Sequence, residues 1–268
     1  MNNPKLPRIL GILNVTPDSF SDGGRYIDVH AAVAAAGAML AAGVDAIDVG
    51  GESTRPGGAE ISVAEEISRV VPVISGIKSE YPDALISIDT RKSAVAHAAL
   101  EAGAAIINDI SMLTFDPAVI DVARDYDAEL VIGHIRGVPA TMDRFAVYKD
   151  VVKEVGEELL KAAEQAEKGG VARGKIILDP GLGFAKNPEQ NIEILRNLDY
   201  FNALGFPLMI GHSRKRFLGA VCGIAEPLKR DMATLACSCF LAGKCEWIRV
   251  HSAIDHAQAF KLLKELEG

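Results

Sequence analysis

A (β/α)8 TIM barrel, α/β in class and a single domain over residues 1–268, is the fold this sequence predicts. Three observations carry it: eight short apolar runs are spaced along the chain, a helix-like segment follows each, and nearly every run ends in a polar or charged residue. Eight β-α units in series are the pattern of such a barrel, whose chemistry gathers where the strands end. The 268 residues suit one barrel of about 250 residues. An open doubly wound sheet also alternates strand and helix. It is disfavoured because the first βα turn lacks G-x-G-x-x-G and the polar ends are spread over all eight runs, whereas an open sheet gathers them at one switch point.

The elements follow in order. The first run, ILGILNV, carries Asn14 and opens into a long excursion to Gly24. The Ala-rich stretch Ala31 to Val44 reads as a helix packed on the barrel, too short to span a bilayer. AIDVGGE reaches Glu52 at the start of a glycine-rich loop. LISIDT ends on Asp89 and Thr90, and the helix predicted over Ser93 to Ala102 takes Ser93 as its N-cap. IIND carries Asn108 and Asp109, and LVIGHIR ends on His134 and Arg136. In Ala146 to Gly169 the apolar residues Val147, Val151, Val155, Leu159 and Ala163 recur every fourth position, and Gly169-Gly170 closes the helix. IILDPG carries Asp179 before a helix over Asn187 to Ala203. LMIGHSRK ends on Ser213 and Lys215 before a helix over Met232 to Gly243, and WIRVH ends on Arg249 and His251. The runs are mostly continuous Val, Ile and Leu, as expected of parallel strands buried on both faces.

Composition narrows the function classes. Against 28 Lys+Arg stand 36 Asp+Glu, a net charge of −8, so no nucleic-acid footprint is expected. The start, MNNPKLPRIL, has no apolar core of a signal peptide, and no membrane association is expected. Cys222, Cys237, Cys239 and Cys245 form no C-x-x-C pair. They are read as buried thiols of a reducing compartment, which places the protein in the cytoplasm.

Two loops are richer than turns require. Asn14 to Gly24 offers an amide, hydroxyls and two carboxylates, and Gly50 to Gly58 combines Arg55 with hydroxyls and four glycines that let the backbone approach an anion. Asp89, Asn108 and Asp179 each follow an apolar run and are expected to project at the barrel mouth. A buried carboxylate needs donors. A flat heterocycle with an N–H beside an exocyclic amine would supply two in parallel, and Asn108 would serve another ring edge. The alternative is a structural ion pair of Asp179 with Lys215 or Arg249. Lys215, Arg249 and His251 come from the seventh and eighth runs, where phosphate sites in barrels often lie, and Arg55 would reach the same mouth. Together they would clamp a diphosphate, and Asn14 would give an oxygen to Mg²⁺. His134 and His212 are read as lining the mouth or standing behind it, since neither has a partner at a metal-ligand spacing.

These segments resemble a known family. Asn14-Val-Thr-Pro-Asp-Ser-Phe-Ser-Asp-Gly-Gly24 and Gly51-Glu-Ser-Thr-Arg-Pro-Gly57 are similar to the two signature loops of the dihydropteroate synthases. The likeness continues through Ser87-Ile-Asp-Thr90, Ile107-Asn-Asp109, Leu178-Asp-Pro-Gly-Leu-Gly-Phe184, Ser213-Arg-Lys215 and Arg249-Val-His251, and so covers the chain in order. The resemblance implies a cytoplasmic transferase of folate biosynthesis and a sulfonamide target. Its substrates are dihydropterin-CH2 diphosphate and 4-aminobenzoate, and its products dihydropteroate and diphosphate. It further implies that Asp89, Asn108, Asp179 and Lys215 bind the pterin, with Arg249 stacked on it. Asn14, Arg55 and His251 would hold the diphosphate with Mg²⁺, and Thr54, Pro56, Phe184, Ser213 and Lys215 would shape the aminobenzoate pocket. Catalysis is assigned by the resemblance to Lys215, Arg55, Asp89, Arg249 and His251, and a homodimer is implied. The chain departs from the family's usual pattern at Ile135, Val138, His212, Arg216 and Ser252. A pterin-dependent methyltransferase barrel would share Asp89, Asn108 and Asp179 but has no use for Arg55 or Ser213-Arg-Lys215. A non-catalytic pterin-binding paralogue would not need both loops intact, and a metal-dependent hydrolase would need the H-x-H that the first run lacks.

Overall fold

The computed structural model describes residues 5–16, 28–53 and 60–267. Its strands are β1 (Arg8–Asn14), β2 (Ala46–Gly50), β3 (Ile86–Asp89), β4 (Ile106–Asp109), β5 (Glu129–Gly133), β6 (Ile176–Asp179), β7 (Met209–Ile210) and β8 (Trp247–Val250). All paired strands run parallel in the order β6-β5-β4-β3-β2-β1-β8-β7. The seam between β6 and β7 is closed by one parallel bridge from Leu178 to Leu208, so the sheet curls into a nearly complete barrel, as the sequence predicts.

Side chains alternate across each strand, which sorts the apolar residues into two layers. Leu10, Ala46, Ile106, Val131, Ile177, Met209 and Trp247 meet inside the barrel. Their neighbours, among them Ile47, Ile88, Ile107, Leu130, Leu178 and Ile248, point outward and pack beneath the helices in the larger core. Two positions beyond the inner layer, on the same face, come Asp48, Asn108, Gly133, Asp179, Gly211 and Arg249. The strand period thus stacks a polar layer directly on an apolar floor.

Among the described residues the helices are α1 (Val29–Ala42), α2 (Val63–Glu80), α3 (Ser93–Glu101), α4 (Val119–Asp125), α5 (Val151–Lys168), α6 (Pro188–Arg196), α7 (Leu198–Asn202), α8 (Arg216–Cys222), α9 (Asp231–Phe240) and α10 (Ala253–Glu267). Several sequence expectations need correction. Lys92, not Ser93, is the N-cap of α3, and the Ser93 N–H is taken by Asp116 Oδ2 at 2.8 Å. The helix expected from Ala146 begins at Val151, because Asp150 accepts from the Lys153 N–H while Glu154 reaches back to the N–H groups of Lys149 and Asp150. Val147, 75% exposed, is therefore not on the buried face, whereas Val151, Val155, Leu159 and Ala163 are. The helix expected over Asn187 to Ala203 is two, broken at Asn197, and the helix expected from Met232 to Gly243 spans Asp231–Phe240. Of the four thiols only Cys245 is buried; Cys237 is half-buried, and Cys222 and Cys239 are exposed, because α8 and α9 present those faces to solvent. No helix among the described residues is long and apolar enough to cross a membrane.

Candidate active site at the carboxyl end of the barrel

Strand register sets the mouth. Asn14 pairs with Gly50, Gly50 with Asp89, and Asp89 with Asn108, so four neighbouring strands present these residues at one level. One step lower, Asp48 lies beside Ser87. Arg249 enters from β8 and donates from Nε to Asp48 Oδ2 and from its terminal nitrogen to Asp89 Oδ2, each at 2.6 Å. Asn108 adds a bond from Nδ2 to the same Asp48 oxygen at 3.2 Å. Asp48 is fully buried and was not singled out by the sequence reading. The signal was its period, two positions beyond Ala46 on the inner face of β2.

The fork leaves polar atoms over. Asp48 Oδ1, Asp89 Oδ1 and Ser87 Oγ are buried with no hydrogen-bond partner among the described residues. Buried acceptors in a native site are nearly always met by a donor, here a ligand or water. Burial pushes the Asp89 carboxyl up to about 7; Arg249 opposes the shift, and the carboxylate of Asp48 adds to it.

Asp179 stands across the mouth at the end of β6. Its Oδ1 accepts from the Gly181 N–H at 2.7 Å. Its Oδ2 borders a notch over Gly211, where a Cβ would sit 3.3 Å from that oxygen and 4.0 Å from Lys215 Nζ. Neither Lys215 nor Arg249 forms an ion pair with Asp179 among the described residues: Lys215 donates to the Leu182 carbonyl, and Arg249 is engaged by Asp48 and Asp89. The alternative reading of Asp179 as a structural ion-pair partner is thus not what the geometry holds. Burial raises the Asp179 carboxyl, with Lys215 opposing. Burial lowers the Lys215 ammonium to about 8, with Asp179 opposing. Lys215 Nζ also lies 4.3 Å from the centre of the Phe184 ring.

The remaining candidates fall around this ring. Ser213 Oγ lies 2.9 Å from His251 Nδ1 and accepts from the His251 backbone N–H at 3.1 Å, joining the ends of β7 and β8. His134 and His212 do not line the mouth: both are fully buried, His134 between Glu158 and Lys186, and His212 against Ser238 and the Thr234 carbonyl. Thr54, Arg55 and Pro56 lie outside the described residues. The residues flanking them are tied together: Glu52 accepts from the Ile61 N–H at 3.2 Å and from Lys92 Nζ at 2.6 Å, and Lys92 also reaches Glu66 at 2.7 Å. Glu52, Glu66 and Lys92 were missed as a group, since their contacts span turns that the sequence pattern does not encode. Among the described residues no group of three or more His, Cys, Asp or Glu is placed to hold a metal ion.

A parallel barrel whose mouth gathers buried carboxylates, an amide and the cationic side chains of Arg249 and Lys215 has the make-up of an enzyme for a polar, donor-rich ligand. Comparison with known proteins gives the same class. Residues 10–251 match the family described as pterin binding enzyme. A dihydropteroate synthase of Synechocystis is 43% identical over 259 residues, covering 96% of this chain and 89% of the relative. The dihydropteroate synthase of Xanthomonas albilineans, solved with 4-aminobenzoic acid, superposes with a TM-score of 0.90 at 36% identity, covering 98% of this chain and 94% of that one. The Yersinia pestis dihydropteroate synthase in a sulfonamide complex gives a TM-score of 0.90 at 37% identity, covering 97% and 94%. The chain belongs to the pterin-binding enzymes and, among them, to the dihydropteroate synthase family.

Proposed function

We propose that this protein condenses (7,8-dihydropterin-6-yl)methyl diphosphate with 4-aminobenzoate, giving 7,8-dihydropteroate and diphosphate for folate synthesis. The observation that carries the reading is the set of acceptors at the mouth. Asp89 keeps one oxygen without a partner among the described residues, and Asp179 turns one toward the notch over Gly211. A pterin edge with an N–H and an exocyclic amine supplies the parallel donors that such a carboxylate accepts. In this reading Asn108 serves another ring edge, and Arg249 lies against the ring near the leaving group. Lys215 contributes to both pockets, and Phe184 and Ser213, with Thr54 and Pro56, wall the aminobenzoate.

In the reaction the methylene C–O bond breaks and the diphosphate leaves with the electron pair. The electron-rich pterin delocalises the resulting cation. The aniline nitrogen of 4-aminobenzoate then forms the new C–N bond and loses a proton. Arg55, Arg249 and His251 stabilise the departing anion. No acyl or phosphoryl intermediate on a Ser or Cys is needed.

Mg²⁺ fits this site. Asn14 Oδ1 and Asp89 Oδ2 border the space above Gly50, where a Cβ would lie 3.7 Å and 3.6 Å from them. Mg²⁺ takes few protein oxygens and keeps waters and phosphate oxygens as its other ligands. Asn14 would hold it, and when bound it would neutralise charge on the diphosphate.

The reading extends to the rest of the molecule. Residues 1–268 act as one pterin-binding barrel domain in the cytoplasm, with small-molecule substrates and a site open to sulfonamides. Exposed Val221, Leu228, Met232, Phe240 and Leu262, on or beside α8, α9 and α10, support a homodimer through that face. The test is incubation of the purified protein with the pterin diphosphate and 4-aminobenzoate, followed by mass detection of dihydropteroate. Absence of product with both substrates bound would sink the proposal.

A further inference from the structure

The turn after β6 carries a buried lysine that the proposed reaction does not use. Lys186 is 5% exposed. Its Nζ donates to the carbonyls of Gly181 at 3.1 Å and Phe184 at 3.0 Å, and to His134 Nδ1 at 2.9 Å. Burial pushes the Lys186 ammonium well below its ordinary range, with Asp179 opposing, and in the charged form each of its three donors has an acceptor here. His134 Nε2 lies 2.9 Å from Glu158 Oε2, and an ionised carboxylate can only accept, so the imidazole proton sits on Nε2 and Nδ1 is left to accept from Lys186. Arg136, stacked on Tyr148, holds Glu158 from the other side. A chain of contacts thus runs from a partly exposed helix carboxylate to the two carbonyls that bracket residues 181–184.

That bracket needs holding. The turn passes over His134 so closely that a Cβ on Gly181 would lie 1.9 Å from the His134 carbonyl oxygen, and Ala185 sits at φ 49°, a left-handed conformation unfavourable for alanine. The same turn supplies the Leu182 carbonyl that accepts from Lys215 and the Phe184 ring beneath its ammonium. We propose that Lys186 is a positioning residue for the aminobenzoate pocket: clamped by His134 and Glu158, it fixes the 181–184 turn and through it Phe184 and Lys215. An apolar residue of the same length would fill the space without the cost of burying an amine, so the three bonds are what distinguish lysine at this position. Asn191 holds the turn independently, accepting from the Gly183 N–H at 2.6 Å, so loss of the ammonium loosens the turn without unfolding it.

The inference rests on the proposed synthase activity. The decisive variant is Lys186→Met, which keeps length and apolar bulk but removes the donors. The expected result is a KM for 4-aminobenzoate raised about tenfold with the dissociation constant of 6-hydroxymethylpterin within about threefold of the parent. A merely structural role would lower the melting temperature and move both constants together or neither. Unchanged KM in a folded Lys186→Met enzyme, or equal loss for both ligands, overturns the proposal. If that variant does not fold, Glu158→Gln decides: an aminobenzoate KM about two- to threefold higher supports the proposal, and an unchanged KM overturns it. Absence of dihydropteroate from the parent protein would instead refute the synthase reading itself, which separates the two failures.

Discussion

Arg249 bridges Asp48 and Asp89 with one bond of 2.6 Å to each, so a single guanidinium serves two buried carboxylates. The excess negative charge is one reason the Asp89 carboxyl is pushed up to about 7, burial being the larger cause. The ionised carboxylate is the form that accepts from ring donors. Pterin affinity is therefore expected to be full above about pH 7 and to fall by up to about tenfold per unit below it. Asp48→Asn removes one negative neighbour and should move this acidic limb to lower pH. Titration of 6-hydroxymethylpterin between pH 5 and 8 checks both statements. A limb that stays in place in the variant would mean that Asp48 does not act on Asp89.

The basic side of the profile belongs to Lys215, whose ammonium burial lowers to about 8. It is charged below that pH and loses its charge as pH rises through it. With Asp89 on one side and Lys215 on the other, kcat/KM should trace a narrow bell with limbs near 7 and 8, reporting the free enzyme. Lys215→Arg should remove the alkaline limb while lowering the maximum, because a guanidinium keeps its charge but does not match the geometry at Leu182 and Phe184. An alkaline limb that persists in the variant would assign it to another group.

Most of this site was legible because strand ends and strand period are both written in the residues. Asn14, Asp89, Asn108, Asp179 and Arg249 were visible as polar residues closing apolar runs, and the barrel brings them to one mouth. Asp48 was passed over because it stands inside its run, although the alternation of Ala46, Asp48 and Gly50 marks the inner face of β2. Lys186 and Glu158 could not be read at all. Their meaning depends on His134 lying between them, a contact spanning the turn after β6, the end of β5 and a helix. The misplaced starts of α3 and α5 have a similar cause: Asp116 and Glu154 take the N–H groups there, and no periodic pattern records which side chain will reach back.

Arg216, one of the departures from the family's usual pattern, pairs with Asp143, and both side chains are more than half exposed. An exposed pair of this kind contributes less than about 1 kcal/mol. Arg216→Ser should leave the chemical denaturation midpoint almost unchanged and kcat within about twofold. A fall in kcat of tenfold or more would instead place Arg216 among the groups that act on substrate.

In the proposed reading Asn14, Arg55 and His251 would supply too little charge to offset a diphosphate unaided. Turnover is therefore expected to depend on Mg²⁺ and to stop in excess EDTA, with recovery on adding the ion back. Calorimetry should also find 4-aminobenzoate binding weakly alone and well in the presence of diphosphate and Mg²⁺, since the segment that supplies Arg55 to the proposed diphosphate site also supplies Thr54 and Pro56 to the proposed aminobenzoate pocket. Full turnover in EDTA would remove the ion from the mechanism, and equal aminobenzoate affinity with and without diphosphate would end the ordered scheme.

Asp179→Asn separates pterin recognition from fold maintenance. Asp179 Oδ1 is occupied by the Gly181 N–H, an acceptor role that the amide oxygen of asparagine can keep. The NH2 group would then replace Oδ2 at the notch over Gly211, facing the ring N–H or the exocyclic amine. Two donors would meet where one carboxylate had accepted, and the mispairing should cost about 2–4 kcal/mol, roughly thirty- to a thousandfold in affinity. Stability should change little, because Asp179 forms no ion pair with Lys215 among the described residues and its bond to the turn survives. Two measurements on the purified variant decide the matter: the melting temperature, and titration with a pterin that lacks the diphosphate. Near-normal pterin affinity, or a large fall in melting temperature with affinity retained, would show that Asp179 holds the fold and not the ligand.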